Sequence, residues 1–282
     1  MLPAVAILLM PVGPAAAAPP DAPDATDAEI RRLLAAGFPL VDLHIHLKGG
    51  LTIDEALAES RRTGIRYGIA ANCGLGFPIT DDRGIDAYVR SLAGQPVFVG
   101  MQAEGREWPR LFSKQSLAKF DYVFTDAMTI VDHRGRRARL WIKEEVDIPD
   151  AQAFMELLVR TIEDILRHEP INIYANPTYL PEQIAADYDR LWTPERQRRV
   201  IDAAAAAGVA IEINSRLKLP KAAFIKAAKK AGVRFTLGTN NSGRDLGRDQ
   251  YGIQMIRECG LTPADMWLPK TKGGKPVEAR KP

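Results

Sequence analysis

The chain has 282 residues, 46% of them hydrophobic and 26% charged, and a formal net charge of +3. This is ordinary globular composition, which excludes disordered and fibrous classes. The charge is too small, and no Lys/Arg stripe is long enough, to point to a nucleic-acid partner.

At the N-terminus, residues 4–10 are an apolar run that leads into the small residues 15–18, the pattern of an export signal. No Lys or Arg precedes the run, and Pro19 follows the obvious cleavage point. The run is shorter than the roughly 20 apolar residues that span a bilayer. Residues 1–18 are therefore read as a signal peptide. The mature protein is expected to be periplasmic or secreted, with no stable membrane association. Residues 19–26, rich in Pro, Asp and Ala, read as a linker, and residues 270–282 as a disordered basic tail.

A strand-then-helix rhythm fills residues 27–269, read as one domain. Residues 41–47 form the first apolar segment. Thr52-Ile-Asp-Glu55 has the spacing of a capping box and opens a helix that runs to Gly64. Strands are expected at 66–72, 97–102 and 122–125. Arg134, Arg136, Arg137 and Arg139 cluster in what reads as a solvated loop or hairpin. An amphipathic helix is expected over 150–168, followed by a strand at 171–175. Thr193-Pro194 starts a helix that ends at Gly208. Strands at 209–213 and 233–238 flank a helix at 220–231. Helices near 249–259 and from Thr262 close the chain. About seven βα units in this length predict an α/β fold, a parallel (β/α)7-type distorted TIM-like barrel in a single domain. No G-x-G-x-x-G follows the first strand, which argues against a dinucleotide. Cys73 and Cys259 read as two separate thiols.

In a parallel barrel the chemistry sits at the C-terminal ends of the strands. Polar residues crowd there after every strand. They are His44, His46 and Lys48; Asn72 and Cys73; Gln102, Glu104, Arg106 and Glu107; Asp126; Asn176 and Tyr179; Glu212, Asn214 and Arg216; Asn240, Asn241 and Ser242. His44 and His46 are two apart, so in a strand both point to one face. Two imidazoles in an apolar strand are costly to bury without partners, and a metal ion would satisfy them. Glu104 is the best third ligand, with Asp126 and Glu212 behind it. Two His and a carboxylate leave positions open for a water of lowered pKa. The alternative is a pair of hydrogen-bonded structural histidines.

The run Asp42-Leu-His44-Ile-His46, then a helix, then Gly64-Ile65 leading into a strand, resembles the first motif of the PHP (polymerase and histidinol phosphatase) family of metal-dependent hydrolases. The resemblance covers residues 41 to 247. Glu104 resembles the family's mid-chain metal-binding Glu, and Asn176-Pro177 lies where the family has His-Pro. Residues 211–214 and 237–242 resemble its final two strands. The resemblance implies a seven-stranded distorted barrel. The family's Asp-His pair after strand two is Asn72-Cys73 here, and its closing Asp-x-His is Asn240-Asn-Ser242. Family members hold two or three metals. The ligands kept here, His44, His46 and Glu104, imply one divalent ion, Zn, Mn or Fe.

Asn72, Asn176, Asn214, Asn240 and Asn241 keep the mouth polar and, with Glu212, suit the hydroxyls of a small-molecule substrate. Lys48, Arg106 and Arg216 suit a carboxylate or phosphate. Trp108, Tyr179 and Trp267 either stack on a sugar face or pack in the core. The expected function is an exported, mononuclear metal-dependent hydrolase of a carbohydrate-like or anionic substrate. Lys48 or Arg106 would stabilise developing negative charge, and Asp126 or Glu107 would act as general base. A metal-dependent lyase or isomerase of a sugar or sugar acid is one alternative, and a non-catalytic ligand-binding barrel is the other.

Overall fold

The computed structural model describes residues 25–246 and 249–270. The expected signal peptide, and nearly all of the expected linker and tail, lie outside them. Helix α1 (Ala25–Ala35) comes first, so Ala25 and Thr26 belong to a helix and not to the linker. The alternation then runs β1 (Val41–Ile45), α2 (Ile53–Thr63), β2 (Arg66–Gly74), α3 (Asp82–Ser91) and β3 (Phe98–Glu104). Two short helices, α4 (Trp108–Leu111) and α5 (Lys114–Leu117), lead to β4 (Tyr122–Thr125). A hairpin of β5 (Thr129–Val131) and β6 (Arg137–Arg139) precedes α6 (Ala151–His168) and β7 (Ile173–Tyr174). After α7 (Glu182–Ala185), α8 (Tyr188–Leu191) and α9 (Pro194–Ala207) come β8 (Ala210–Asn214), α10 (Ala222–Lys230), β9 (Phe235–Gly238) and α11 (Gln250–Glu258).

Strands β1, β2, β3, β4, β7, β8 and β9 pair in parallel, in that order, and close into a seven-stranded barrel. This is the expected architecture, an α/β TIM-like barrel in a single domain. Local chemistry places the helices. The Thr52–Glu55 capping box forms and opens α2. The Asp150 side chain accepts from the Gln152 and Ala153 N–H groups and starts α6. Thr193 caps α9, with Pro194 at its first position. The arginine cluster lies on the hairpin, where Asp132 ties down Arg136 and Glu145 ties down Arg139. Among the described residues, no helix is long and apolar enough to cross a membrane.

Two apolar clusters divide the core. The larger lies between the strands and the helices and includes Ile45, Ile69, Met101, Val123, Ile211, Ile213 and Leu237. The smaller, with Leu43, Ala70, Phe98, Tyr122, Phe124, Ile173, Ala210 and Trp267, fills the barrel itself. The division follows the period of two in a strand: Ile211 and Ile213 meet the helices, and Ala210 faces in. The Tyr122 ring lies where side chains at Gly68 and Gly100 would stand, and its hydroxyl donates to Leu43 O at 2.8 Å. Each such buried side chain contributes about 1.5–3 kcal/mol. The Trp267 N–H bonds Phe235 O at the start of β9, so Trp267 plugs the end opposite the mouth and does not stack on a ligand there.

Candidate active site

The site begins with an irregularity in β1. Its register against β2 shifts between Asp42 and Ile45. Asp42 Oδ1 accepts the His44 N–H at 2.9 Å, and Oδ2 accepts the Thr239 N–H and hydroxyl at 3.1 and 2.6 Å. The bulge keeps Leu43 in the barrel and still turns His44 inward, with ring centroids 4.6 Å from Phe124 and 5.2 Å from His46. Both histidines are buried. Burial pushes the Asp42 carboxyl up to about 6, against the hydrogen bonds it receives.

Above Phe124 the inward positions turn polar on almost every strand. His44 Nδ1 meets Glu212 Oε1 at 2.5 Å. A side chain at Gly238 would collide with that carboxylate and press on His44, so the pair depends on a glycine in β9. Glu212 Oε2 accepts the Asn176 N–H at 2.7 Å and the Asn214 amide at 3.2 Å. Asn176 Oδ1 accepts from the Asn214 and Asn240 amides at 2.9 and 3.3 Å. The Asn176 amide donates to Asp126 Oδ2 at 2.6 Å. Asn176 and Asn240 hold left-handed backbone, with φ of 45° and 47°. Asparagine tolerates that region better than most residues, and such strain concentrates at functional sites. On the other wall, His44 Nε2 lies 3.2 Å from Gln102 Oε1. The Asn72 amide donates to Gln102 Oε1 at 2.9 Å and to Glu104 Oε1 at 2.8 Å. His46 Nδ1 bonds Ala70 O at 2.8 Å.

The charges follow from these contacts. Burial pushes the His44 pKa down, but the Glu212 charge and hydrogen bond outweigh it, and the net shift is upward. Burial pushes Glu212 up, and His44 reverses that to a net lowering. The two shifts agree on a buried imidazolium–carboxylate pair. Burial, and then the His44 charge, hold His46 well below the usual imidazole range, so it is neutral. Burial and the Asp126 charge push Glu104 up to about 8. Burial also raises Asp126. At the rim Lys48 is half-buried; burial and Arg216 lower its pKa, while Glu104 raises it.

The structure brings His44, His46, Asn72, Glu104, Asp126, Asn176, Glu212, Asn214 and Asn240 to one mouth, with Lys48 and Arg216 at its edge. Other expected site residues do something else. Arg106 donates to Glu169 at 2.8 Å, and to Thr125 Oγ1 and Asp126 O at 2.9 and 2.8 Å. It therefore braces β4 against the end of α6 from outside the barrel and is not free to stabilise a substrate charge. Trp108 donates to the same Glu169 at 2.6 Å and is fully buried, so it is core. Asn241 spends its amide on the His46 N–H and carbonyl and on Gly243 O, clamping the β9 loop to β1. Glu107 flanks Gly105 and Arg137 beside the hairpin, and it is Asp126, just past the end of β4, whose charge acts on Glu104. Cys73 is a buried free thiol whose Sγ faces Ala71 O at 3.5 Å.

The three expected metal ligands share the mouth, but their donor atoms do not converge. Among the described residues, no group of three or more His, Cys, Asp or Glu side chains is arranged to hold a metal ion. His44 is bonded at both ring nitrogens, and the amides of Gln102 and Asn72 stand between the histidines and Glu104. As arranged, this donor set does not fit an ion. Gln102, which the sequence places among the polar strand-end residues without a role, is a central member of the site. Arg137, read from the sequence as part of a solvated hairpin, leans on Phe77, 5.7 Å from the ring centroid, and its charge reaches Glu104.

No family model and no curated protein matches the chain. Among solved structures, histidinol phosphate phosphatase from Lactococcus lactis, complexed with zinc, L-histidinol and phosphate, matches with a TM-score of 0.57. The match has 17% identity and covers 82% of this chain and 95% of that one. The fold is PHP-like. An HpcH/HpaI aldolase from Desulfitobacterium hafniense matches with a TM-score of 0.37 and 13% identity, over 82% of this chain and 94% of that one. A chain of archaeal ribonuclease P with mature tRNA matches with 0.37 and 14%, over 80% and 90%. Both are too distant to inform the site.

Proposed function

We propose that this protein is a hydrolase of a small anionic molecule, with the barrel mouth as its active site. The observation that carries the reading is the pair Glu104 and Asp126. They stand one position beyond the Ala103–Thr125 partners, Glu104 as the last residue of β3 and Asp126 just past the end of β4, both buried. Burial raises both, and the charge of Asp126 raises Glu104 further, to about 8, while the Met128 N–H and the Asn176 amide favour the charged form of Asp126. Two carboxyls in different protonation states are an acid and a base. Glu104 gives its proton to the leaving oxygen. Asp126 takes one from the attacking water. Lys48 and Arg216, at the rim, hold the anionic end of the substrate, and Asn72 and Asn240 meet its hydroxyls. The phosphatase from L. lactis supports hydrolysis as the reaction class. The zinc in that structure raises the question of a divalent ion here, but no step above passes through one.

Purified protein incubated with phosphomonoesters, carboxylic esters, amides and uronic acids tests this reading. Turnover of an anionic ester, reduced about 10²–10⁴-fold in folded Glu104→Gln and Asp126→Asn, is the expected result. A raised KM with little change in kcat is expected for Lys48→Ala and Arg216→Ala. Conversion of uronic acids alone would move the reading to a lyase or isomerase on the same pair. Binding without turnover would move it to a ligand-binding barrel. Export, proposed from residues 1–18, is checked by N-terminal sequencing of the mature chain.

A further inference from the structure

The Glu212–His44–Gln102–Asn72–Glu104 chain crosses the mouth where the resemblance to metal-dependent hydrolases leads one to expect an ion. The orientations of the Asn72 and Gln102 amides assign its hydrogens. The Asn72 amide nitrogen is a donor, so the Gln102 atom it meets is the acceptor Oε1. The His44 Nε2 facing that same oxygen must donate to it. His44 Nδ1 faces a carboxylate oxygen at 2.5 Å and donates as well. An imidazole that donates at both nitrogens has no lone pair left for a metal. His46 donates from Nδ1 to Ala70 O, so it keeps a single lone pair at Nε2. One imidazole beside two amides falls short of the three protein ligands of a catalytic zinc site. Glu104 is engaged by Asn72 on the far side of Gln102.

We infer that Gln102 takes the place of a metal ion at this strand end. Its amide oxygen fixes His44 and Asn72, and through Asn72 it fixes Glu104, so the histidine pair is ordered with no divalent ion. Gln102 is a positioning residue, and the mouth is metal-independent. This goes beyond the proposed hydrolysis, which concerns Glu104 and Asp126 whatever orders the histidines.

The test reads metal directly. Full-length protein produced in medium supplemented with zinc and manganese is dialysed and analysed for metal content. It is then titrated with Zn²⁺ and with Mn²⁺ by calorimetry and followed by thermal unfolding. The expected result is metal far below stoichiometric, no saturable heat, and a Tm unmoved by either ion. Gln102→His, which puts a third imidazole at the centre, is expected to gain zinc affinity by at least about tenfold and a zinc-dependent rise in Tm. Where that variant does not fold, the nearly isosteric Gln102→Glu is read in its place. Stoichiometric metal in the wild type, lost in His44→Ala and His46→Ala, would overturn the inference. So would folded Gln102 variants that gain nothing. Failure to find a hydrolysed substrate bears on the proposed function and leaves this result standing.

Discussion

The two halves of the barrel interior are built from the same strands with the same period of two, yet they are chemically opposite. The lower half holds Leu43, Phe98, Tyr122, Ile173 and Ala210, closed from below by Trp267. The upper half, one or two inward positions later, holds His44, Gln102, Asn176, Glu212, Glu104 and Asp126. Burial stabilises the first set. It costs the second set, because each charged or amide group must replace its water with a partner. The backbone changes with the chemistry: β1 bulges between Asp42 and Ile45, and Asp126 and Asn176 lie just past the ends of β4 and β7. Under the proposed function the mouth is where a ligand would bind, and there the cost of buried charge would be offset by use.

The comparison breaks first if the lower half is not the foundation. Tyr122→Ala removes a ring that lies over Gly68 and Gly100 and the hydroxyl that donates to the Leu43 carbonyl. The expected loss of stability is about 3–5 kcal/mol by urea unfolding. Turnover per folded molecule should be nearly unchanged, since Tyr122 lies below the site. A loss under about 1 kcal/mol would mean that the lower layer is not packed as described.

Glu212→Gln is the corresponding cut in the upper half. The new amide can accept from His44 Nδ1, but its NH2 then faces the Asn176 N–H and the Asn214 amide, donor against donor. It also leaves the imidazolium unpaired. A loss of about 3 kcal/mol is expected, with activity falling further than stability accounts for. The pair is isolated by adding His44→Leu: a coupling of about 0.5–3 kcal/mol between the two changes is expected in a double-mutant cycle. Strict additivity would show that the 2.5 Å contact contributes nothing.

Much of this division was legible in the sequence. Period-two alternation placed His44 and His46 on one face, and apolar runs marked every barrel strand. The polar residues after each strand drew the outline of the mouth. What escaped had local causes. Helix α3 was missed because Asp82–Ser91 buries little beyond Ile85 and carries Gly84 in its first turn. Arg106 has the parity of Gln102 and Glu104, but β3 ends at Glu104 and the left-handed Gly105, at φ 78°, turns the chain outward before it. Gln102 lies two before Glu104, so the same alternation that picked the histidines would have put it beside them. The sequence places it among the polar residues of the mouth but gives it no role, because its partners His44 and Asn72 lie on other strands. The bulge at Asp42 had no sequence signal that alternation could read, since its cause is Thr239 at the far end of the chain.

The smallest expected effect is also the sharpest, because its sign depends on pH. Glu104 is pushed up to about 8, by burial first and then by Asp126. Between its unfolded value and that level the folded state binds more protons than the unfolded chain, so stability falls as pH rises through this window. Below the window the group contributes nothing, and above it the full penalty of a buried carboxylate applies. Glu104→Gln keeps an acceptor for the Asn72 amide and removes the proton exchange. Relative to the wild type it should be neutral near about pH 4 and more stable by a kcal/mol or two near about pH 9, in parallel urea titrations. His44 and Glu212 add slopes of their own, but they are common to both proteins and cancel in the difference. A variant that is less stable at every pH would show that Glu104 is held ionised by a cation, and the upper half of the barrel would then be stabilising after all.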